Sequence, residues 1–177
     1  MGDDIHKPYE VDIFDNEGNC IGTKPWPTVD RKNDILPNAF VFVFTPDHEM
    51  LLGKITEDYL SKKIYKGKLG APAVTLIRHG EPCEKAARRA LLNDLTIHSP
   101  KLNYLGEQFE TFSDGTKRKM CTFFCIHDQN LKLNSQVIDS VRTIRRVELE
   151  TLLRLSPEQF SPQFVRSYER NKRHFPF

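Results

Sequence analysis

The chain is organised around one stretch, Gly80-Glu-Pro-Cys-Glu-Lys-Ala-Ala-Arg-Arg-Ala-Leu-Leu-Asn-Asp-Leu-Thr-Ile97. Small and apolar side chains recur in it at the spacing of one helix face, at Ala86, Ala87, Ala90, Leu91 and Leu95. Such spacing is typical of an amphipathic helix that packs on a core. Pro82 suits the first turn, where the missing backbone N–H has no helical partner to lose. The pattern predicts a helix from Pro82 to about Ile97.

Strand patterns flank this helix on both sides. Alternating apolar residues around a glycine-containing turn predict a β-hairpin over 11–22. Apolar runs bounded by turns predict further strands over 39–44, 50–53, 103–111, 120–127 and 137–146. A short helix is expected at 147–153, and Ser-Pro pairs beginning at Ser156 and Ser161 predict two helix starts. This order is that of an α/β sandwich with a mixed sheet, not of a doubly wound βαβ fold.

The size and composition of the chain are those of one domain. Its 177 residues, 38% of them hydrophobic, are enough to bury a sizeable core. No internal repeat and no Pro/Gly/Ser-rich linker divides the sequence. We expect a single domain over 1–177, in which 1–10 form an N-terminal extension and 62–68 form a solvated loop.

The charge of the chain is nearly balanced, with 26 Lys and Arg against 24 Asp and Glu and a net charge of +2. This balance argues against a nucleic-acid-binding protein, which carries a strongly basic surface. The first fifty residues hold 4 basic and 10 acidic side chains, so the rest of the chain carries the positive excess and favours anions. No apolar run approaches the roughly 18 residues needed to span a bilayer, and the N-terminus lacks a signal-peptide pattern. We expect a cytoplasmic protein that does not bind membranes.

The four cysteines are Cys20, Cys83, Cys121 and Cys125. They are too few and too scattered for a disulfide framework, and a cytoplasmic compartment keeps thiols reduced. Cys121 and Cys125 lie close to His127 in the sequence, but no second pair stands at metal-ligand spacing. We expect Cys121 and Cys125 to pack in a strand as small hydrophobic residues.

The helical stretch resembles a Nudix box, whose pattern is Gly, five residues, Glu, seven residues, Arg-Glu-apolar-x-Glu-Glu-x-Gly-apolar. Glu81 and Arg89 stand at the expected spacing, and Leu91 and Ile97 occupy apolar positions of the pattern. The opening hairpin, the 40–44 strand and the closing Phe160-Ser-Pro-Gln-Phe164 segment are similar to the subgroup that includes isopentenyl-diphosphate isomerase. The resemblance implies a Nudix fold, an α/β/α sandwich with a mixed sheet and one central box helix over 80–97.

Nudix hydrolases cleave a nucleoside diphosphate linked to another group, with divalent metals held by glutamates on one face of the box helix. In this chain the corresponding positions, which follow Arg89 by one, four and five residues, hold Ala90, Asn93 and Asp94. Thr75 and Thr96 replace the two glycines of the box. The resemblance therefore implies a degenerate box that builds no metal site beyond Asp94, aided at most by Glu81 or Glu84. Mg²⁺ is expected only if some activity remains.

The isomerase resemblance implies further active-site positions. The cysteine and histidine that this enzyme supplies before the Gly-Glu correspond to Val74 and Leu76, and its two strand glutamates correspond to Lys117 and Lys119. Strand alternation predicts that both lysines share one face of the sheet. Ammonium groups repel a divalent cation and attract a phosphate, so this exchange favours anion binding.

Two interpretations stay open for most of the candidate residues. Asp94 is either a residual ligand to metal or substrate or a solvated or capping carboxylate. Glu81 supports the site or complements the helix dipole, and Arg89 orients carboxylates or forms a surface pair. Lys117 and Lys119 bind an anion or form a solvated hairpin tip, and His79 faces a pocket or has no role.

Three functions are compatible with these residues. The first is a protein that binds a phosphate-containing small ligand, a nucleotide or nucleoside-diphosphate derivative, with weak or absent hydrolysis; Lys117, Lys119, Arg89 and His79 are its candidate ligand-binding residues. The second is an active hydrolase with carboxylates from outside the box, with Glu107, Glu110 and Asp114 as candidates. The third is a protein-interacting pseudoenzyme that uses a basic C-terminal lobe, which comprises Arg166, Arg170, Lys172, Arg173 and His174.

Overall fold

The structure, a computed structural model, describes residues 8–56, 65–128 and 130–177. Within these ranges the strands are β1 Glu10–Phe14, β2 Cys20–Pro25, β3 Leu36–Phe44, β4 Met50–Ile55, β5 Leu69–Gly70, β6 Ala73–Leu76, β7 Asn103–Thr111, β8 Lys117–Ile126 and β9 Ile138–Ile144. The helices are α1 Cys83–Leu95, α2 Arg146–Leu155 and α3 Pro162–Asn171. None of these helices is long and apolar enough to cross a bilayer.

Seven strands form the main sheet, in which β5, β4, β3, β8 and β7 lie side by side. β6 pairs with the first half of β3, and β9 pairs with β4. β3 and β8 run parallel, whereas the other pairings in the sheet are antiparallel. The predicted mixed sheet is confirmed, and β3 is its central strand, buried at all positions from Leu36 to Phe44.

Residues of β3 alternate between two hydrophobic cores, because successive side chains of a strand point to opposite faces. Ala39, Val41 and Val43 pack with the apolar face of α1. Phe40, Phe42 and Phe44 pack on the other face with side chains from α2 and α3. The molecule is therefore an α/β/α sandwich, as the sequence predicts, with α1 on one side of the sheet and α2 and α3 on the other.

The hairpin of β1 and β2 forms a separate two-stranded sheet, which confirms the predicted hairpin. The Asp15 carboxylate accepts hydrogen bonds from the Glu17 and Asn19 backbone N–H groups at 3.0 and 2.8 Å, and Gly18 supplies a positive φ of 91°. The Phe14 N–H donates to the Ile35 carbonyl at 3.1 Å, which attaches the hairpin to the start of β3. β1 begins at Glu10, the last residue of the expected 1–10 extension, of which residues 1–7 lie outside the described residues.

The end of the chain confirms one of the two predicted helix caps. The Ser161 hydroxyl accepts a hydrogen bond from the Phe164 N–H at 3.3 Å and begins α3. Ser156 begins only a 3₁₀ turn without a side-chain cap, so the second expectation is wrong. Ser156 closes α2, with its N–H bonded to the Leu152 carbonyl at 2.8 Å, and its ψ of 56° lies outside the β region that an N-cap residue adopts. Residues 62–64 of the expected 62–68 loop lie outside the described residues, and in the described part Tyr65 is buried, so this part is not solvated throughout.

Candidate functional site

A tight turn leads into α1. The Glu81 N–H donates to the Arg78 carbonyl at 2.9 Å, and the Glu81 carboxylate accepts from the Arg78 N–H at 3.0 Å. Gly80 has a φ of 71°, a conformation that glycine adopts without strain. Pro82 follows in an extended conformation and precedes the first helical residue, Cys83. The turn therefore presents the side chains of 78–81 at the N-terminus of the predicted helix.

Arg89 clamps this turn to the helix and to β6. Its Nε and Nη2 donate to the two oxygens of the Glu81 carboxylate at 2.9 and 2.8 Å. Its Nη1 donates to the Thr75 hydroxyl at 3.1 Å, and Nη2 also reaches the Leu76 carbonyl at 2.8 Å. The side chains of Glu81 and Arg89 are only 8% and 16% exposed, so this is not the surface pair that the sequence favours.

The ion pair determines the charge of Glu81. Burial by itself raises the pKa of the Glu81 carboxyl, but the hydrogen bonds from Arg89 and from the Arg78 N–H outweigh burial and lower the pKa below its usual value. Glu81 is therefore ionised at neutral pH, and its charge is compensated by Arg89. This arrangement favours an orienting role for Arg89 over a role in binding a ligand by itself.

A shallow cleft of about 350 Å³ opens beside the Glu81–Arg89 ion pair. Its lining residues are Arg78, His79, Gly80, Glu81, Lys85 and Arg89. Since Glu81 and Arg89 compensate each other, the remaining charged groups of the lining are cationic. The Asp12 carboxylate lies 2.7 Å from His79 Nδ1 and, by this hydrogen bond and its charge, raises the pKa of His79. The cleft is therefore suited to an anion.

Aromatic residues of the hairpin region support one wall of the cleft. The Arg78 guanidinium lies over the Tyr9 ring, 4.7 Å from its centroid. Tyr9 stacks on Trp26 with centroids 5.8 Å apart and planes 5° from parallel, and the Arg31 guanidinium covers Trp26 at 4.1 Å. Cation–π contacts of this kind restrict the orientation of a guanidinium. Tyr9 and Trp26 therefore hold Arg78 at the edge of the cleft.

The helix face that carries the metal ligands of a Nudix box is different here. Ala90 is buried, and Asp94 is 8% exposed, so Asp94 is neither solvated nor a cap. Burial raises the pKa of Asp94 to about 7, an effect that the charge of Arg89 only partly opposes. Among the described residues, no three His, Cys, Asp or Glu side chains are placed to hold a metal ion. Ala90 offers no ligand atom, and the one carboxyl at these positions is the buried Asp94, whereas the Nudix box supplies several carboxylates.

Comparisons with known proteins agree with this architecture. No family model matches the chain. An uncharacterised Nudix hydrolase of Pseudomonas aeruginosa is 27% identical over 132 residues, which cover 74% of this chain and 75% of that protein. A crystal structure of a Deinococcus radiodurans protein matches with a TM-score of 0.75 at 15% identity, over 91% of this chain and 98% of that chain.

The NUDIX domain of Shewanella oneidensis NrtR, crystallised with ADP-ribose, matches with a TM-score of 0.59 at 15% identity, over 84% of this chain and 95% of that chain. The chain has the Nudix fold. The sequence match to a named Nudix hydrolase supports the wider Nudix hydrolase superfamily as well. In the Nudix fold of this chain, α1 is the helix that carries the box resemblance, and the cleft lies at its N-terminus.

Lys117 and Lys119 lie on the face of the sheet that α1 covers. They precede Cys121 by four and two residues in β8, and Cys121 packs on that face. The prediction that the two lysines share one face is confirmed. Val74 and Leu76 point to the other face of the sheet, paired with Phe40 and Asn38. The two lysines and the two apolar residues therefore lie on opposite faces of the sheet, and the correspondence with the isomerase active site stays a prediction. A strand register that is shifted by one residue reverses the face of every side chain.

Neither lysine lines the cleft. Lys119 Nζ lies 2.9 Å from the Glu107 carboxylate and 4.6 Å from the centroid of the Phe14 ring. Lys117 Nζ donates to Asn16 Oδ1 at 2.6 Å. Both ammonium groups therefore join β8 to β7 or to the hairpin, which agrees better with the hairpin-tip interpretation than with the anion-binding one.

The carboxylates proposed from outside the box do not come together. Glu107 lies on the α1 face of the sheet, whereas Glu110 lies on the opposite face and pairs with Arg166 at 2.8 Å and with Arg170. Asp114 accepts a hydrogen bond from the Tyr65 hydroxyl at 2.6 Å in the turn between β7 and β8. Glu84, a candidate from within the box, pairs with Arg88 at 2.7 Å on the outer side of α1. A shared catalytic centre is not built from these four side chains.

The basic C-terminal lobe is partly neutralised by neighbours on the same chain. Arg166 and Arg170 pair with Glu110, and Lys172 Nζ lies 2.7 Å from Glu169. α3 is thus an amphipathic helix whose apolar face packs on the sheet and whose basic side chains pair with carboxylates of the same chain.

Sequence reasoning missed Tyr9, Trp26, Arg78 and Lys85 as parts of the site. The sequence does contain a signal for two of them, because Arg78 precedes Gly80-Glu81 and Lys85 follows it in the first turn of α1. The contact of Arg78 with Tyr9 joins residues that are far apart in sequence, and no local pattern reports it.

Proposed function

We propose that this chain binds a phosphate-containing small ligand, a nucleotide or nucleoside-diphosphate derivative, in the cleft beside the N-terminus of α1, with weak or absent hydrolysis. The observation that carries the proposal is the cationic lining of the cleft. Arg78, Lys85 and His79 surround an ion pair, Glu81–Arg89, that is already compensated.

Each of these groups suits phosphate in a different way. A guanidinium presents several N–H donors in a planar fork, and an ammonium acts as a compact point charge. The charge of His79 is favoured by Asp12, which raises the pKa of the imidazole. The backbone N–H groups at the start of α1 add the positive end of the helix dipole. We infer that Arg78, Lys85 and His79 bind the anion and that Arg89 positions the turn.

Weak or absent hydrolysis is proposed from the composition of the α1 face. Hydrolysis of a diphosphate needs charge neutralisation and an activated water, for which metal-bound glutamates serve in the family. Ala90 and Asn93 supply no carboxylate, and the carboxyl of Asp94 has a pKa of about 7. Binding, by contrast, needs only donors and a shaped surface.

The test is thermal unfolding across a panel of nucleotides, nucleotide sugars, ADP-ribose and isoprenoid diphosphates, each with and without Mg²⁺ or Mn²⁺. A ligand that binds only the folded state raises the midpoint. We include ADP-ribose because the Shewanella domain of the same fold is complexed with it, and isoprenoid diphosphates because of the isomerase resemblance. A metal-independent shift without product is the expected result. A shift that requires metal and yields product would contradict the proposed loss of hydrolysis.

Charge variants locate the site. We expect Arg78→Gln and Lys85→Gln each to weaken binding of the selected ligand by about tenfold, the effect of losing one charge-assisted hydrogen bond. Arg88→Gln is the matched control, because Arg88 lies on the same helix but bonds to Glu84 and to the Pro100 carbonyl. Lys119→Gln is expected to leave affinity unchanged. If Lys119→Gln weakens binding and Lys85→Gln does not, the site lies at the β8 lysines and not in the cleft.

A further inference from the structure

Four side chains follow one another in contact from a surface loop to the cleft. The loop comprises residues 26–34, between β2 and β3. Its Arg31 guanidinium lies 4.1 Å from the centroid of the Trp26 ring, and Trp26 stacks on Tyr9 with centroids 5.8 Å apart. The Arg78 guanidinium, 4.7 Å from the Tyr9 centroid, ends this row at the cleft. The row therefore connects the 26–34 loop to a residue that lines the cleft.

The loop end of the row is fixed from inside the molecule. Arg118 of β8 is 2% exposed, and its Nη2 donates to the Arg31 carbonyl at 2.8 Å. The Asp34 carboxylate accepts from Lys24 Nζ at 2.7 and 2.8 Å and from the Asp30 N–H at 2.7 Å. A guanidinium is costly to bury, and hydrogen bonds to loop carbonyls offset part of that cost. The backbone of Arg31 is thus attached to the main sheet.

We propose that Trp26 and Arg31 are positioning residues that set the affinity of the cleft for anions through Tyr9 and Arg78. The inference rests on the proposed function, because it concerns how Arg78 is presented to the same ligand. Tyr9 and Trp26 also cover the small core beneath the hairpin. That role accounts for two rings at this place, but not for a guanidinium at each end of their stack.

Preorganisation is the physical basis of the effect. A mobile arginine side chain loses rotamer freedom when it binds an anion, and this loss weakens binding by about twofold to tenfold. A guanidinium that already lies on an aromatic ring has a restricted orientation before the ligand arrives. The ring keeps it there only if the ring is itself supported. Trp26 and Arg31 supply this support to Tyr9, so they act on affinity without touching the ligand.

The test measures binding of inorganic diphosphate to the full chain by isothermal titration calorimetry. We expect Trp26→Leu, which changes no charge, to weaken binding by about twofold to tenfold. Trp26→Phe keeps a ring against Tyr9 and should bind like the wild type. Arg31→Met should weaken binding within the same range. Lys32→Met is the matched control and should leave affinity unchanged, since it removes an exposed cation of the same loop that is not part of the row.

Fluorescence provides a second readout, which a merely structural role would not change. Trp26 is the one tryptophan of the sequence, so its emission reports on the row directly. Diphosphate should shift or quench the emission of the wild type. Tyr9→Leu interrupts the row, so the emission of this variant should no longer respond at diphosphate concentrations that saturate it.

The outcomes separate this inference from the proposed function. A wild type that does not bind diphosphate would contradict the anion site itself and this inference with it. Wild-type affinity in both Trp26→Leu and Arg31→Met would overturn the positioning role alone, even if their unfolding midpoints fall, because the rings would then only cover the core. Equal weakening by Arg31→Met and Lys32→Met, or an emission that ignores bound diphosphate, would also overturn it.

Discussion

Two carboxyl groups of the box region differ in charge because of their immediate neighbours. Glu81 is bound by Arg89 through two hydrogen bonds and has a lowered pKa. Asp94 is buried at the other end of α1, where only the more distant charge of Arg89 opposes desolvation, and its pKa is about 7. Opposite shifts in one short segment show that the local environment, not the residue type, determines which carboxyl is ionised.

The raised pKa of Asp94 makes stability depend on pH. In the unfolded chain an aspartate titrates near pH 4, so between about pH 4 and about pH 7 the folded state binds more protons than the unfolded state. Stability is therefore full below about pH 4 as far as this group is concerned, and it falls as the pH rises to about 7. Asp94→Asn should be more stable than the wild type at pH 8, by at most a few kcal/mol, and equal to it near pH 4.

Urea denaturation at pH 4, 5.5, 7 and 8 measures this difference. Glu84→Gln is the control, since it removes an exposed carboxylate from the same helix and should leave the pH profile unchanged. Parallel profiles for Asp94→Asn and the wild type would show that folding does not change the pKa of Asp94.

At the scale of an element, α1 ends with a strained residue. Thr96 closes the helix in the left-handed conformation, with φ 59° and ψ 32°, and its N–H bonds to the carbonyls of Leu91 and Leu92. The Nudix pattern has glycine at this position, which adopts such angles without a Cβ penalty. The Thr96 hydroxyl donates to the Lys132 carbonyl at 3.1 Å, and this hydrogen bond offsets part of the backbone strain.

Thr96→Gly should therefore stabilise the protein. Relief of a left-handed β-branched residue gains about 1 kcal/mol, from which the loss of an exposed hydrogen bond subtracts a part. Thermal unfolding should show a midpoint a few degrees higher. Lys85→Gly, an exposed substitution inside the same helix, should instead cost about 1 kcal/mol. A lower midpoint for Thr96→Gly would mean that the bond to Lys132 outweighs the strain.

One buried carboxylate links the C-terminal helix α3 to the main sheet by ion pairs. Glu110 of β7 is 3% exposed and pairs with Arg166 and Arg170 of α3. The apolar stripe of α3, with Phe164 and Tyr168, packs beside it on the central strands. The C-terminal helix is thus held by a hydrophobic contact and by a charge pair at its side.

Glu110→Gln should lower the free energy of unfolding by about 1–2 kcal/mol, because two guanidinium groups lose their charged acceptor while remaining partly solvated. Glu169→Gln, which removes an exposed acceptor of Lys172 on the same helix, should change it by less than about 0.5 kcal/mol. Chemical denaturation measures both. Equal stability of Glu110→Gln and the wild type would assign the docking of α3 to its apolar stripe alone.

Much of the fold is predictable from local patterns, because the responsible interactions are local. Alanine and leucine spacing predicts α1, the Asp15 to Gly18 turn predicts the hairpin, and Ser161 before Pro162 predicts the start of α3. The missing side-chain cap at Ser156 is also a local effect, since its ψ of 56° is not that of an N-cap residue. The box spacing identifies Glu81 and Arg89 but does not reveal that their pair is buried.

Local patterns in the sequence predict α1, the hairpin and most strands of the sheet, but not β5 and β6, and they identify the residues that stand where a Nudix box has its carboxylates. Which face of the sheet is covered by α1 follows from the folded chain. In it, Lys119 pairs with Glu107, and Leu76 lies on the opposite face. The stack of Arg78 on Tyr9 likewise depends on the folded chain. The physical reason is that a pattern of period 2 or 3.6 reports which side chains share a face, whereas burial, pKa and ion pairing depend on the neighbours that the rest of the chain brings to that face.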